Sequence, residues 1–245
     1  MVVTAKQYKL SNIVLEWKEL RSLTSKDITD KKLGEVAAIA WEMANFDFNV
    51  YKKEPEEGFS SVEDISVVGA PAQATEGFER GITVAIEVNS CRALANTPGG
   101  DMTPRILAEC AKTIAKGTKV QVEVLGRQEL KKEGMGAVLG IAKGSEHEPQ
   151  FIVMEYWGAA KNKKPVVLLG KGVTFDTGGL QTKPGDSMYE MHMDMSGGAA
   201  VMHAIVLAAK LELKVNVVAL IPAVENSPSG TAVRPGDILT SLSGR

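Results

Sequence analysis

Pro165-Val-Val-Leu-Leu-Gly170 runs directly into Lys171-Gly-Val-Thr-Phe-Asp176-Thr-Gly-Gly-Leu-Gln-Thr-Lys183. The apolar run is too short for a helix and is bounded by proline and glycine, so it reads as a strand buried on both faces. Similar runs recur at Phe151–Tyr156 and Val215–Ile221, and Val120, Val122 and Val124 alternate as a further strand. A helix from about Gly197 to Leu211 separates the last apolar run from Val166–Gly170. Another starts at Thr103-Pro104, with threonine as N-cap and proline in the first turn, and stops near Ala115 before Gly117. Strands alternating with helices imply an α/β fold: a mixed, largely parallel sheet with helices on both sides.

Working outward toward the amino terminus, the pattern becomes less decisive. Ile82, Val84, Ile86 and Val88 alternate like a strand, yet the segment runs on through Cys91 and Leu94 at helical spacing, so periodicity leaves it open. Residues 1–75 differ from the rest. Leu33, Val36, Ala37, Ala40, Trp41 and Ala44 recur at helical spacing and predict an amphipathic helix over Lys31–Ala44. A charged loop over Lys52–Gly58 precedes a short strand at Ile65–Val68. Gly69–Gly77, rich in Ala, Pro, Gly and Gln, reads as a linker. A domain boundary is therefore expected between residues 1–75 and residues 76–245.

Bulk properties exclude several classes of function. A hydrophobic fraction of 44% with 24% charged residues suits a globular chain with a real core. The net charge of −2 gives no support for nucleic acid or an anionic membrane as partner. The longest apolar stretches, such as Val215–Val224, are too short to span a bilayer. Cys91 and Cys110 are too few and too far apart for a disulfide framework, and read as reduced thiols. A soluble cytoplasmic protein is the expectation.

The chemistry concentrates between Lys171 and Asp194, the latter in Met193-Asp-Met-Ser-Gly-Gly198. Taken singly, each residue has a bland reading. Lys171 can be a solvated loop charge, Asp176 a turn-former, Asp194 the N-cap of the following helix, and Lys183 an ordinary residue before a proline. Together they say more. A strand ending in a glycine-flanked lysine puts that lysine at the carboxyl edge of a sheet, where α/β proteins place ligands. Carboxylates offer hard oxygen donors to a divalent cation, and a lysine can join them once neutral. His192 and His203 are better read as surface or packing residues. There is no G-x-x-x-x-G-K-[ST], and Phe175 breaks any G-x-G-x-x-G, so a nucleotide site is the weaker reading.

The segment Gly170-Lys-Gly-Val-Thr-Phe-Asp-Thr-Gly-Gly179, with its downstream lysine and Asp-Met, resembles the leucyl aminopeptidase (cytosol aminopeptidase) family of metallopeptidases. The likeness extends through Asn96-Thr-Pro98, Met102-Thr-Pro104, Glu155-Tyr-Trp-Gly158, Pro222-Ala-Val-Glu-Asn226, Pro228-Ser-Gly230 and Arg234-Pro-Gly-Asp237. It covers roughly residues 78–245; the first 75 or so look like the tail of the family's smaller, variable amino-terminal domain. The resemblance implies that Lys171, Asp176 and Asp194 are metal ligands, with Asp176 bridging two divalent ions, Mn2+ or Zn2+. It implies that Lys183 is catalytic, an ammonium that polarises the peptide carbonyl. It also implies that Asp194 receives the substrate's α-amine and that Met191 lines the pocket for the first side chain, giving removal of leucine-like amino-terminal residues from peptides. A hexameric homo-oligomer is implied as well, and a helix over Ile82–Ala95.

The family's second cluster, NTDAEGR, supplies an aspartate, a bridging glutamate and an arginine that holds bicarbonate. It is expected soon after Ser243-Gly-Arg245, where the chain stops. The expectation is therefore a fragment, inactive alone, of an active parent aminopeptidase. The alternative is a non-catalytic short form that acts as a binding or regulatory module on full-length subunits.

Overall fold

The structure is a computed structural model that describes residues 1–245. The chain divides into two compact units, Met1–Asn89 and Ser90–Arg245.

The first unit contains α1 (Val2–Gln7), β1 (Asn12–Glu16), α2 (Trp17–Ser22), α3 (Asp30–Asn45), β2 (Asp64–Val68) and the start of α4 (Ala72–Asn96). β1 and β2 pair in parallel, Asn12 opposite Asp64 through Glu16 opposite Val68. Helix α3 opens on Thr29, whose side chain accepts from the Lys32 N–H at 3.2 Å. Its buried face differs from the expected one. Leu33, Gly34, Ala37 and Ala38 are buried, while Val36 is 49% exposed. The reason lies in α4, whose buried stripe is Ala74, Gly77, Gly81 and Ala85.

These small residues let the two helices meet backbone to backbone. A Cβ on Gly77 would stand 2.1 Å from the Lys31 carbonyl oxygen, and one on Gly34 would stand 2.4 Å from that of Ala74. The linker expected over Gly69–Gly77 is therefore overturned from Ala72 onward: Gly77 serves close packing, not flexibility. The same contact explains the alternation at 82–88. The segment is helical, and the β-branched Ile82 and Ile86 point outward, 41% and 48% exposed.

The second unit adds α5 (Pro104–Ala115), β3 (Gln121–Leu125), α6 (Arg127–Lys132), α7 (Gly136–Ile141), β4 (Gln150–Trp157), β5 (Val166–Leu169), β6 (Gly172–Asp176), α8 (Gly185–Met188), α9 (Ser196–Lys210) and β7 (Asn216–Asn226). Short 3-10 turns lie at Ala142–Gly144 and Met191–Met193. The Thr103 cap forms as expected, its hydroxyl accepting from the Ile106 N–H at 3.3 Å. Gly117 ends that region with φ at +73°.

The sheet is mixed, in the order β3-β4-β7-β5, with β6 also on β7. β3–β4 and β4–β7 are antiparallel; β5 and β6 both run parallel to β7. β5 and β6 follow one another along the same side of β7, Leu169 opposite Leu220 and Gly172 opposite Ala223. Pro222 lies in β7 between these paired stretches and has no N–H to give the ladder, so the strand breaks at Gly170-Lys171.

One face of this sheet carries the core. Ile152, Met154, Tyr156, Val217, Ala219, Ile221 and Ala223 pack with Leu107, Ala108 and Ala111 of α5 and with Ala199, Met202, Ile205 and Val206 of α9. Each large aliphatic side chain buried there contributes roughly 1.5–3 kcal/mol. The opposite face is covered at the β6 end, where Ala142, Val173 and Val224 cluster with Val138 of α7. Burial on both faces, expected for the run at Val166–Gly170, fails for β5. Leu168 joins the core, but Val167 and Leu169 are 56% and 71% exposed because no helix lies over them.

Candidate active site

Lys171 sits at the break between β5 and β6, and the glycines on its two sides let the main chain run against the start of α9 and against β7. A Cβ on Gly170 would stand 2.5 Å from the Gly197 carbonyl oxygen, and one on Gly172 would stand 2.7 Å from that of Pro222. The Lys171 carbonyl accepts from the Gly198 N–H at 2.7 Å. This bond fixes the backbone from which the lysine side chain projects.

Asp176 closes β6 opposite Asn226. The chain then turns through Gly178 and Gly179, both at positive φ (+88° and +72°), a conformation that glycine adopts without strain. The turn is held from β7: the Asn226 carbonyl accepts from the Thr177 N–H at 2.9 Å and from its hydroxyl at 2.7 Å. The Lys183 N–H closes it by donating to the Thr177 carbonyl at 2.8 Å.

The side chains meet in two ion pairs. Lys183 Nζ donates to Asp176 Oδ2 at 2.8 Å and lies 2.9 Å from Met191 Sδ. Lys171 Nζ donates to Asp194 Oδ2 at 2.5 Å. Asp176 Oδ1 accepts from the Gly178 N–H at 2.9 Å and from Asn226 Nδ2 at 2.8 Å. Burial pushes the Asp176 carboxyl up, but the bonds from Lys183, Gly178 and Asn226, with the Lys183 charge, outweigh it and hold the group below its ordinary range.

The capping reading of Asp194 fails on this geometry. Asp194 ends the Met191–Met193 turn, and α9 starts from Met195 with no side-chain cap, so Asp194 does not cap the helix. Lys171, although 57% exposed, is engaged with a carboxylate only 18% exposed. His203 is buried within α9, in keeping with a packing role.

The donor chemistry fits a divalent cation. Both carboxylates already face positive charge, and a lysine amine is on hand to ligate once neutral. No group of three or more His, Cys, Asp or Glu side chains that could hold a metal ion gathers anywhere in the chain, and Asp176 and Asp194 each stand in an ion pair of their own. Asn226 is a site residue that the sequence alone does not single out. It falls within the Pro222–Asn226 stretch, but its place beside Asp176 depends on the β6–β7 pairing across fifty residues.

Residues 89–245 match the catalytic-domain profile of the cytosol aminopeptidase family. The chain belongs to that family. A probable cytosol aminopeptidase of Cupriavidus necator is 48% identical over 177 residues, covering 72% of this chain and 35% of that protein. One from Saccharophagus degradans is 42% identical over 226 residues, covering 90% of this chain and 45% of that protein. Among solved structures, the cytosol aminopeptidase of Coxiella burnetii aligns with a TM-score of 0.76 at 27% identity, over 87% of this chain and 44% of that one. The bottromycin maturation enzyme BotP in complex with Mn aligns with a TM-score of 0.84 at 25% identity, over 99% of this chain and 50% of that one. This chain thus spans between a third and a half of the length of these relatives. No helix is long and apolar enough to cross a membrane.

Proposed function

We propose that the segment from Lys171 to Asp194 belongs to a two-metal hydrolytic centre, and that the protein is a metal-dependent aminopeptidase releasing leucine-like residues from peptide amino termini. The observation that carries this reading is the pairing of Lys171 with Asp194 just ahead of β6 and of Lys183 with Asp176 at its carboxyl end, inside the stretch that matches the family's catalytic domain. The Mn complex of BotP supports a divalent ion; Mn2+ or Zn2+ is the reading for this chain. When bound, such ions polarise the scissile carbonyl and lower the pKa of a water.

The chain's own residues then divide the work by environment. Asp176 and Asp194 supply oxygen donors. Lys171 would serve as a nitrogen donor in its neutral form, since a nearby dication opposes a second positive charge. Lys183 keeps its proton and sets a positive charge where the carbonyl oxygen gathers negative charge. The Asp194 carboxylate receives the substrate's α-ammonium, which confines cleavage to the terminal residue. Met191, beside Lys183, lines the pocket for the first side chain.

Two carboxylates and one amine fall short of what two ions need, so we expect this chain alone to hold an ion weakly and to turn over little substrate. Bicarbonate as base, a cytoplasmic location and hexameric assembly belong to the same reading of the whole protein. The exposed β5 residues Val167 and Leu169 favour a second reading, a non-catalytic module that docks on full-length subunits.

The test is Mn2+ titration followed by calorimetry, with leucine p-nitroanilide turnover measured in parallel. Mn2+ binding that weakens by about tenfold or more in Asp176→Ala and Asp194→Ala is expected. Equal affinity in all three proteins overturns the ligand assignment. Turnover by the unaltered chain that vanishes in Asp176→Ala overturns the expected inactivity.

A further inference from the structure

Asn226 ends β7 and touches the Asp176 turn in two separate ways. Its main-chain carbonyl takes both the N–H and the hydroxyl of Thr177, while its side-chain amide donates to Asp176 Oδ1 at 2.8 Å. The first contact belongs to the backbone and survives any substitution. The second belongs to the side chain alone. Gly179 makes room for it, since a Cβ there would come within 3.0 Å of Asn226 Oδ1.

A carboxylate turns easily about its last bond, whose rotation is broad and two-fold. Here Oδ1 is held by two donors, Asn226 Nδ2 and the Gly178 N–H, and Oδ2 is left turned toward Lys183. Without the asparagine amide a single main-chain donor remains. The carboxylate could then swing to offer both oxygens to the Lys183 ammonium, which would compete with an arriving dication.

We propose that Asn226 is a positioning residue: its amide fixes the rotation of the Asp176 carboxylate, so that Oδ2 alone meets the Lys183 ammonium and the group keeps one set orientation for a divalent cation. This inference rests on the reading of Asp176 as a metal ligand. Hydrogen-bond partners that orient a ligand carboxylate commonly alter metal affinity by roughly 10–100-fold.

The test uses Asn226→Leu, which keeps the volume and removes the donor, with Asn226→Ala as the second variant should the first fail to fold. Mn2+ affinity is measured by calorimetry, and the visible absorption spectrum is recorded at saturating Co2+. The expected result is Mn2+ binding weakened by about 10-fold or more, together with a changed Co2+ spectrum. A merely structural role would leave the spectrum of the bound ion unaltered. If the unaltered chain binds Mn2+ through Asp176, and the Asn226 variants bind it equally well with the same Co2+ spectrum, the positioning role is overturned and the metal site stands. If Mn2+ binding is absent, or indifferent to Asp176→Ala, both inferences fall.

Discussion

Replacing Lys183 with methionine keeps the length of the side chain and removes its charge. The lost contact is a 2.8 Å charge-assisted hydrogen bond between an ammonium 29% exposed and a carboxylate 14% exposed. Such bonds contribute about 1.5–3 kcal/mol, and partial exposure of the lysine favours the lower end. A loss of about 1.5 kcal/mol lowers Tm by roughly 3–6 °C in a unit of this size.

The effect carries a pH signature. Asp176 is held below its ordinary range in the folded chain, so its contribution is present above the unfolded carboxylate value of about 3.9 and is lost as pH falls through the folded value. In Lys183→Met, burial is opposed only by Gly178 and Asn226, and the carboxyl sits higher than in the unaltered protein. The gap in stability between the two proteins should therefore be widest near neutrality and close in strong acid. Thermal melts followed by circular dichroism between pH 3 and 7, with chelator present, measure it. A gap of equal size at both ends, or a variant that melts higher at pH 7, would refute the reasoning.

Gly77→Ala should destabilise the first unit by about 2–3 kcal/mol, because its Cβ would meet the Lys31 carbonyl at 2.1 Å and backbone has little room to give; an unchanged urea midpoint would count against the close helix contact. Thr103→Ala removes the acceptor for the Ile106 N–H and should cost about 1 kcal/mol, whereas Thr103→Ser should cost much less. Equal losses in the two Thr103 variants would mean that packing, not capping, is what threonine supplies.

What the sequence made legible follows local physics. The start of α5 is written in Thr103-Pro104, and the turn after β6 in Asp176-Thr-Gly-Gly179, because caps and left-handed glycines act on their immediate neighbours. Lys171, Asp176, Lys183 and Asp194 all stand out within one short stretch, and the structure joins them as two ion pairs. Illegible features are those set by distant partners. Helix α4 begins at Ala72 inside an apparent linker because Gly77 and Gly81 are consumed by contact with α3. The exposure of Leu169 depends on which helices cover which face, and a run of apolar residues does not record that. Asn226 meets Asp176 only once β6 and β7 have paired.

The bond from the Gly198 amide to the Lys171 carbonyl ties the strand break to the first turn of α9, and Asp194 stands just ahead of that same turn. Both members of the Lys171–Asp194 pair are thus connected to the start of α9, the lysine through its carbonyl and the aspartate through the chain. Because Gly170 is also bonded to Leu220 of β7, helix and sheet are joined at this lysine, and a shift of one against the other would have to open the Lys171–Gly198 bond first.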